Sequence, residues 1–204
     1  MRGCVIILAE LGGQQNASNQ VVDLLKPGHD VNCQVLGWYA GKHSRVVRST
    51  YAAELLSLLD ATGQGNIITT AMDGIWSGAT SAAKLLERHS QGRRCIEHDA
   101  IVDAKAVWDG VTAECPKTPA DKPLFLHALA MREYLESGWV DRLWWADTQA
   151  MLADGVTKGS VEREALIAVC ERGIWAIVGE APVYKQLRNT DSASTSLYVG
   201  WQWY

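Results

Sequence analysis

The stretch RRCIEHDAIVDAK, residues 93–105, is the segment that most directly indicates the fold class. Its apolar residues predict a strand from Cys95 to Asp103, and the KAVWDGV that follows predicts a short helix. A strand leading into a helix is a unit of sheets that carry helices on their faces. Asp103 ends this strand, where sites in open α/β sheets tend to gather. The segment therefore predicts an α/β fold and a first candidate site residue.

Two strands are predicted before this segment. RGCVIILAE contains a compact apolar run from Cys4 to Glu10, and residues Val31 to Tyr39 begin with alternating apolar and polar side chains. We expect these runs to be neighbouring antiparallel strands. The residues between them, QQNASNQVVDLLKPGHD, are polar at first and contain a possible short helix that ends at Pro27 and Gly28.

Helices are predicted on either side of the central strand. Ser49 is a suitable N-cap for a helix with apolar residues at a helical period, and the period from Ile67 to Leu86 predicts one long helix or two stacked ones. The remaining predicted elements are a helix Leu124–Ser137, a strand Val140–Ala146, helices Gln149–Lys158 and Val161–Arg172, and a strand Ile174–Val178. This order predicts a mixed sheet flanked by helices.

Composition agrees with one folded domain. A chain of 204 residues with 48% hydrophobic content can bury a substantial core without disulfides or a structural metal. The net charge of -4 argues against a protein whose whole surface attracts phosphate, although it leaves room for a local basic patch. We find no internal repeat and no low-complexity tract.

The cysteines and the N-terminus indicate the compartment. Five scattered cysteines without a C-x-x-C pair predict reduced thiols in an intracellular protein, cytoplasmic or nuclear. The apolar run GCVIILAELGG is too short to span a bilayer and resembles a strand more than a signal peptide, so no membrane association is expected.

Three acidic residues stand in distinct structural contexts. Glu54 lies early in a predicted helix, Asp103 ends a strand, and Asp154 lies inside another helical stretch. Hard divalent cations prefer carboxylate oxygens, so a fold that gathers these acids would form a metal site. The alternatives are a solvated helix-face acid for Glu54, a helix cap for Asp103 and a surface acid near a helix N-terminus for Asp154.

The same segments carry a family resemblance. RSTYAAELL, VDAKAVWDGV and QAMLADGVTK, in that order, resemble the ribonuclease H domain that closes the Pol polyprotein of copia-type retrotransposons. The resemblance runs from about Arg2 to about Gly173. It implies an α/β, ribonuclease H-like mixed sheet flanked by helices over residues 1–180, with residues 181–204 as a C-terminal tail and no separate domain.

The resemblance also implies an activity, hydrolysis of the RNA strand of an RNA–DNA hybrid by a two-metal endonuclease. Glu54, Asp103 and Asp154 would be the catalytic residues and would hold two Mg²⁺ ions, for which Mn²⁺ can substitute. The expected partners are the hybrid and the reverse transcriptase region of the same polyprotein.

One departure from the family pattern bears on that activity. Ribonuclease H folds begin with a strand that carries the first catalytic Asp, and RGCVIILAE already resembles the second strand. We therefore expect a truncated or degenerate copy that lacks the first strand, with weak or no activity. The alternative is a catalytically inactive remnant that binds nucleic acid or has a structural role.

A basic run precedes the helix of Glu54. GKHSRVVR supplies Lys42, His43, Arg45 and Arg48, which the resemblance places near the sugar-phosphate backbone of the hybrid. A solvated strand face is about as good an interpretation of the run.

Nine tryptophans are many for this length. Those on apolar faces are expected in the core, with base stacking as a minor alternative: Trp38, Trp108, Trp144, Trp145 and Trp175. Three other acids, Asp99, Asp109 and Asp147, are interpreted as ordinary.

Overall fold

The computed structural model describes residues 2–10, 30–42, 46–79, 81–114, 122–146, 148, 151–157, 163–176 and 197–203. The elements are β1 Arg2–Glu10, β2 Asp30–Gly41, α1 Thr50–Ser77, α2 Ala82–Ser90, β3 Ile96–Val102, α3 Lys105–Thr112, α4 Pro123–Glu136, β4 Arg142–Trp145, α5 Leu152–Thr157, α6 Glu164–Arg172, β5 Ile174–Ala176 and β6 Leu197–Trp203. The predicted mixed α/β class is confirmed.

The strands form a six-stranded mixed sheet in the order β4-β3-β6-β1-β2-β5. β1 is antiparallel to β2 and to β6, and β2 is antiparallel to β5. β3 is parallel to both β4 and β6. The predicted antiparallel pairing of the first two strands is thus confirmed.

The C-terminal strand β6 lies in the middle of this sheet. Gly200 pairs with Ile7 of β1 on one side and with Asp99 of β3 on the other. Of the segment expected to be a tail, residues 197–203 are therefore a central strand, and residues 181–196 lie outside the described residues. β6 joins the β1-β2-β5 half of the sheet to the β3-β4 half.

The long helix α1 has the predicted start. Ser49 is its N-cap, and the Ser49 side chain accepts a hydrogen bond from the backbone N–H of Ala52 at 3.1 Å. The helix ends at Gly78, whose φ of 65° suits a residue without a Cβ. Ser81 then caps α2. The periodic stretch therefore forms two helices, because Gly78 interrupts it.

Helices cover both faces of the sheet. One core, under α1, α3 and α4, contains Ile6, Leu55 and Leu143, and the other, under α5 and α6, contains Ile7 and Trp175. Neighbouring residues of β1 enter opposite cores because side chains alternate along a strand. Each such apolar side chain stabilises the fold by about 1.5–3 kcal/mol when buried.

Four cysteines in the described residues, Cys4, Cys33, Cys95 and Cys170, are free thiols. Across the described parts of the chain, no helix is both long enough and apolar enough to cross a membrane.

Candidate functional site

Several strands end or begin at one edge of the sheet, which we call the carboxyl edge. Val102, the last residue of β3, pairs with Trp145 of β4 and Trp203 of β6, and Trp203 pairs with Cys4 of β1. β2 finishes here too, since its last residue, Gly41, pairs with the first residue of β1. The carboxyl edge therefore collects the chain segments that surround the candidate acids.

Asp103 follows β3 directly at the carboxyl edge and is partly buried. Its backbone carbonyl accepts a hydrogen bond from Trp145 Nε1 at 2.8 Å, and its Oδ2 accepts one from the Thr148 hydroxyl at 3.5 Å. The N-cap of α3 is Ala104, which makes no side-chain cap hydrogen bond. The structure therefore does not show the alternative in which Asp103 caps this helix.

Asp154 lies in the first turn of α5 and is only 1% exposed. α5 packs closely on β1, because a Cβ at Gly3 would overlap the Thr157 methyl group and lie 3.3 Å from the Ala153 carbonyl oxygen. Gly3 thus permits the approach that holds Asp154 near the carboxyl edge. The alternative of a surface acid does not apply, since this carboxyl group is buried.

Glu54 lies on α1, five residues into the helix, and is partly buried. The adjacent Leu55 is completely buried in the core under α1. The first turn of α1 lies beside α3, the helix that follows β3 at the carboxyl edge, because a Cβ at Gly110 would lie 2.8 Å from the Tyr51 hydroxyl oxygen. The half-buried position of Glu54 differs from that of a fully solvated helix-face acid.

The three acids approach the carboxyl edge from different layers. Glu54 comes from the α1 face, Asp154 from the α5 face, and Asp103 from the strand end between them. Within the described residues, no group of three or more His, Cys, Asp or Glu side chains is placed to hold a metal ion. The structure brings together the elements of the predicted site without arranging their carboxylates as a ligand set.

The predicted basic run is described in part. Lys42 and Arg48 are exposed, whereas His43 and Arg45 lie outside the described residues. Exposure of the two cations fits both the phosphate-binding interpretation and the solvated-face alternative.

The tryptophans follow the core prediction with one exception. Trp144 and Trp175 are buried, at 3% and 1% exposure. Trp108 and Trp145 are partly buried. Trp38 is 68% exposed, so the prediction of core packing is wrong for this residue. Trp38 is in neither of the two buried core clusters and is not packed against them.

A second polar cluster, at the amino end of β3, was missed by the sequence interpretation. Arg142 Nε lies 3.1 and 2.9 Å from the two carboxylate oxygens of Asp99, and Arg142 Nη2 lies 2.7 Å from Glu97 Oε2. Trp144 Nε1 donates a further hydrogen bond to Asp99 at 2.9 Å. Burial raises the pKa of Asp99 to about 7, against the lowering effect of Arg142. Asp99 is therefore a buried structural acid rather than an ordinary one.

The other face of this cluster is built around His98. Its backbone N–H donates to Asp141 Oδ2 at 2.7 Å, and Asp141 forms an ion pair with Arg94. The His98 Nδ1 lies 2.9 Å from both Asn66 Oδ1 and the Trp139 carbonyl oxygen. Burial lowers the pKa of His98 to about 3, so the ring is neutral at physiological pH.

The sequence did contain a signal for this cluster. Glu97, His98 and Asp99 are three consecutive ionisable residues inside an otherwise apolar predicted strand. A charge in a buried strand is costly unless it is paired, so the pattern required partners elsewhere in the chain. Nothing local identified Arg142 as that partner, because its contact with Asp99 is made by strand pairing.

In comparisons with protein-family models, with curated proteins and with solved structures, no match to this chain was found.

Proposed function

We propose that the chain is a ribonuclease H-like domain of the copia type, which binds RNA–DNA hybrids at the carboxyl edge and hydrolyses their RNA strand weakly or not at all. The observation that supports this proposal is that the first turn of α1 packs on α3, which follows β3, and that α5 packs on the start of β1, so the elements that carry Glu54, Asp103 and Asp154 adjoin the carboxyl edge. Each acid occupies the kind of element that the resemblance assigns to it: a helix, a strand end and a second helix.

The sheet offers a second line of support. The resemblance requires a strand before the one that β1 represents, and β6 lies beside β1, parallel to β3. Its residues, LYVGWQW, contain no carboxylate. The position of β6 between β1 and β3 supports a ribonuclease H-like arrangement of the sheet. The lack of an acid in β6 supports the expectation that the domain offers fewer metal ligands than the family uses.

The three acids fit a magnesium site in their chemistry but not in their arrangement. Carboxylate oxygens suit Mg²⁺, and a bound pair of ions would supply an activated water and stabilisation of the leaving oxygen. The side chains of Glu54, Asp103 and Asp154 are not arranged as a ligand set in the described structure. The proposal therefore covers binding of the hybrid at the carboxyl edge. It includes no hydrolytic step that depends on the ions. A reverse transcriptase region of the same polyprotein remains the proposed protein partner.

A cleavage assay tests the catalytic part of the proposal. The full chain is incubated with a labelled RNA–DNA hybrid and Mg²⁺ or Mn²⁺, and Asp103→Asn serves as the matched variant. We expect little or no cleavage by either protein. Robust cleavage that Asp103→Asn abolishes would overturn the expectation of weak activity and establish the acids as catalytic.

A binding assay tests the hybrid-binding part. Lysine and arginine contacts to phosphate release counterions, so affinity for the hybrid should fall steeply as salt is raised. Asp103→Asn should leave binding unchanged or improve it, because the substitution removes a negative charge at the carboxyl edge. The absence of binding at low salt would instead favour the second candidate, a protein with a structural or interaction role.

A further inference from the structure

The second half of β2 exposes a large aromatic side chain beside an open sheet edge. Trp38 is 68% exposed, and the neighbouring Tyr39 is 46% exposed. β5 pairs only with residues Asp30–Asn32 of β2. Among the described strands, none pairs with the outer side of β2 beyond that point. An indole ring at such a position offers its faces to a partner outside the fold.

The stretch of sequence that contains Trp38 carries charge of one sign. No Asp or Glu occurs from Val31 to Ala53, the longest acid-free stretch of a chain whose net charge is -4. Lys42 and Arg48, both exposed, lie within it. An exposed aromatic ring in a locally cationic segment is the combination with which proteins hold single-stranded nucleic acid.

We propose that Trp38, Lys42 and Arg48 form a binding platform for a single-stranded segment that flanks the hybrid. Trp38 stacks on an unpaired base, and the two cations contact the phosphates of the same strand. The inference rests on the proposed function, because it extends the hybrid-binding edge along β2. It adds a preference for hybrids with an unpaired overhang over blunt ones.

The dimensions suit this ligand. If the strand geometry of β2 extends by one residue to Lys42, four residues place Trp38 and Lys42 about 13 Å apart. That length corresponds to roughly four stacked nucleotides of one strand, which is within the site sizes of single-strand binding proteins. β2 ends at the carboxyl edge with Gly41, so a strand on the platform continues toward Asp103.

The test compares two probes on the full chain by fluorescence anisotropy. One is a blunt RNA–DNA hybrid of roughly 16 base pairs, and the other carries an added RNA overhang of about six nucleotides. The overhang should tighten binding to the natural chain. Trp38→Ala should lower affinity for the overhang probe by about fivefold to a hundredfold and leave the blunt probe unaffected.

Two controls separate stacking from damage to the fold. Trp38→Phe keeps an aromatic face and should retain most of the preference for the overhang. Trp76→Ala removes another exposed tryptophan, 48% exposed, which lies roughly 40 Å along α1 from the start of that helix. This control should change neither affinity. Lys42→Gln should reduce the slope of log affinity against log salt concentration for the overhang probe by about one, the value for one phosphate contact.

The outcomes distinguish this inference from the proposed function. A preference for the overhang that survives Trp38→Ala would overturn the platform while hybrid binding stands. Binding of free single-stranded RNA through Trp38 without any hybrid binding would support the platform and reject the proposed function. A natural chain that dimerises in sedimentation, becomes monomeric as Trp38→Ala and keeps its nucleic-acid affinities would assign this surface to a second copy and overturn the platform.

Discussion

The two ends of β3 both carry acidic residues, and the structure treats them differently. At the amino end, Arg142 contacts Glu97 and Asp99, and Arg94 contacts Asp141. At the carboxyl end, Asp103 is partly buried, and its Oδ2 accepts a long hydrogen bond from Thr148. Arginine side chains pair with these carboxylates inside the protein.

This difference separates structural acids from candidate functional ones. A buried carboxylate held by a guanidinium group is committed to the fold, since losing its partner leaves an uncompensated charge. Asp103, directly after the strand end, is only partly buried and is the kind of acid that the proposed function would use. Sequence position alone does not make this distinction, because Asp99 and Asp103 lie on the same strand and its end.

The largest effect is expected from breaking β6, on which both ends of β3 depend. Tyr198→Pro removes a backbone N–H from a strand paired on both sides, and such a position tolerates proline poorly. We expect loss of cooperative unfolding or a destabilisation of at least about 3 kcal/mol, measured by circular dichroism and urea denaturation. Val46→Pro is the control, because Val46 is 97% exposed and lies outside the helices and strands. Equal stability of the two variants would show that β6 is dispensable to the sheet.

The next effect sharpens the contrast between the two ends. Arg142→Ala leaves Asp99 and Glu97 without their arginine and should destabilise the chain by about 3–5 kcal/mol. Asp103→Asn, at the opposite end, should cost less than about 1 kcal/mol because the amide oxygen still accepts from Thr148. Urea denaturation of both variants measures the difference. Similar losses would mean that the carboxyl end is as structural as the amino end.

The smallest effect is the pH dependence of folding stability, to which His98 and Asp99 contribute with opposite signs. The lowered pKa of His98 gives stability that is lost as pH falls from about 6.5 toward 3. The raised pKa of Asp99 gives stability that is lost as pH rises from about 4 toward 7. The two contributions partly cancel in the natural chain.

Single substitutions should separate these contributions. In Asp99→Asn only His98 titrates, so the free energy of unfolding should rise with pH between about 4.5 and 6.5. In His98→Gln only Asp99 titrates, so the free energy of unfolding should fall over the same range. Either change is at most about 2.7 kcal/mol for one proton. Unfolding midpoints at several pH values measure the slopes. Identical slopes in the two variants would show that neither group carries the expected shift.

Local patterns predicted much of the fold. The Ser49 cap of α1, the two N-terminal strands and the strand that precedes Asp103 all follow from periodicity and capping, which act within a few residues. Of the site, the sequence identified three candidate acids, whose carboxylates form no metal-holding group within the described residues.

Local patterns did not predict the contacts between segments that lie far apart in the sequence. The aromatic end LYVGWQW contains β propensity but no indication of its partners, which lie at the opposite end of the chain and near its middle. Trp38 was expected in the core because its strand is apolar, and its exposure depends on which part of the sheet face the distant helices cover. The role of Asp99 depends on Arg142, far away in sequence.

The sequence by itself determined the class of the fold, the start of α1 and which acids are candidates for the site, because helix caps and apolar periods are local properties. The tertiary structure alone decided that β6 lies between β1 and β3, that Arg142 pairs with Asp99, and that Trp38 faces outward. These features arise from contacts between distant segments, whose burial and pairing no local pattern specifies.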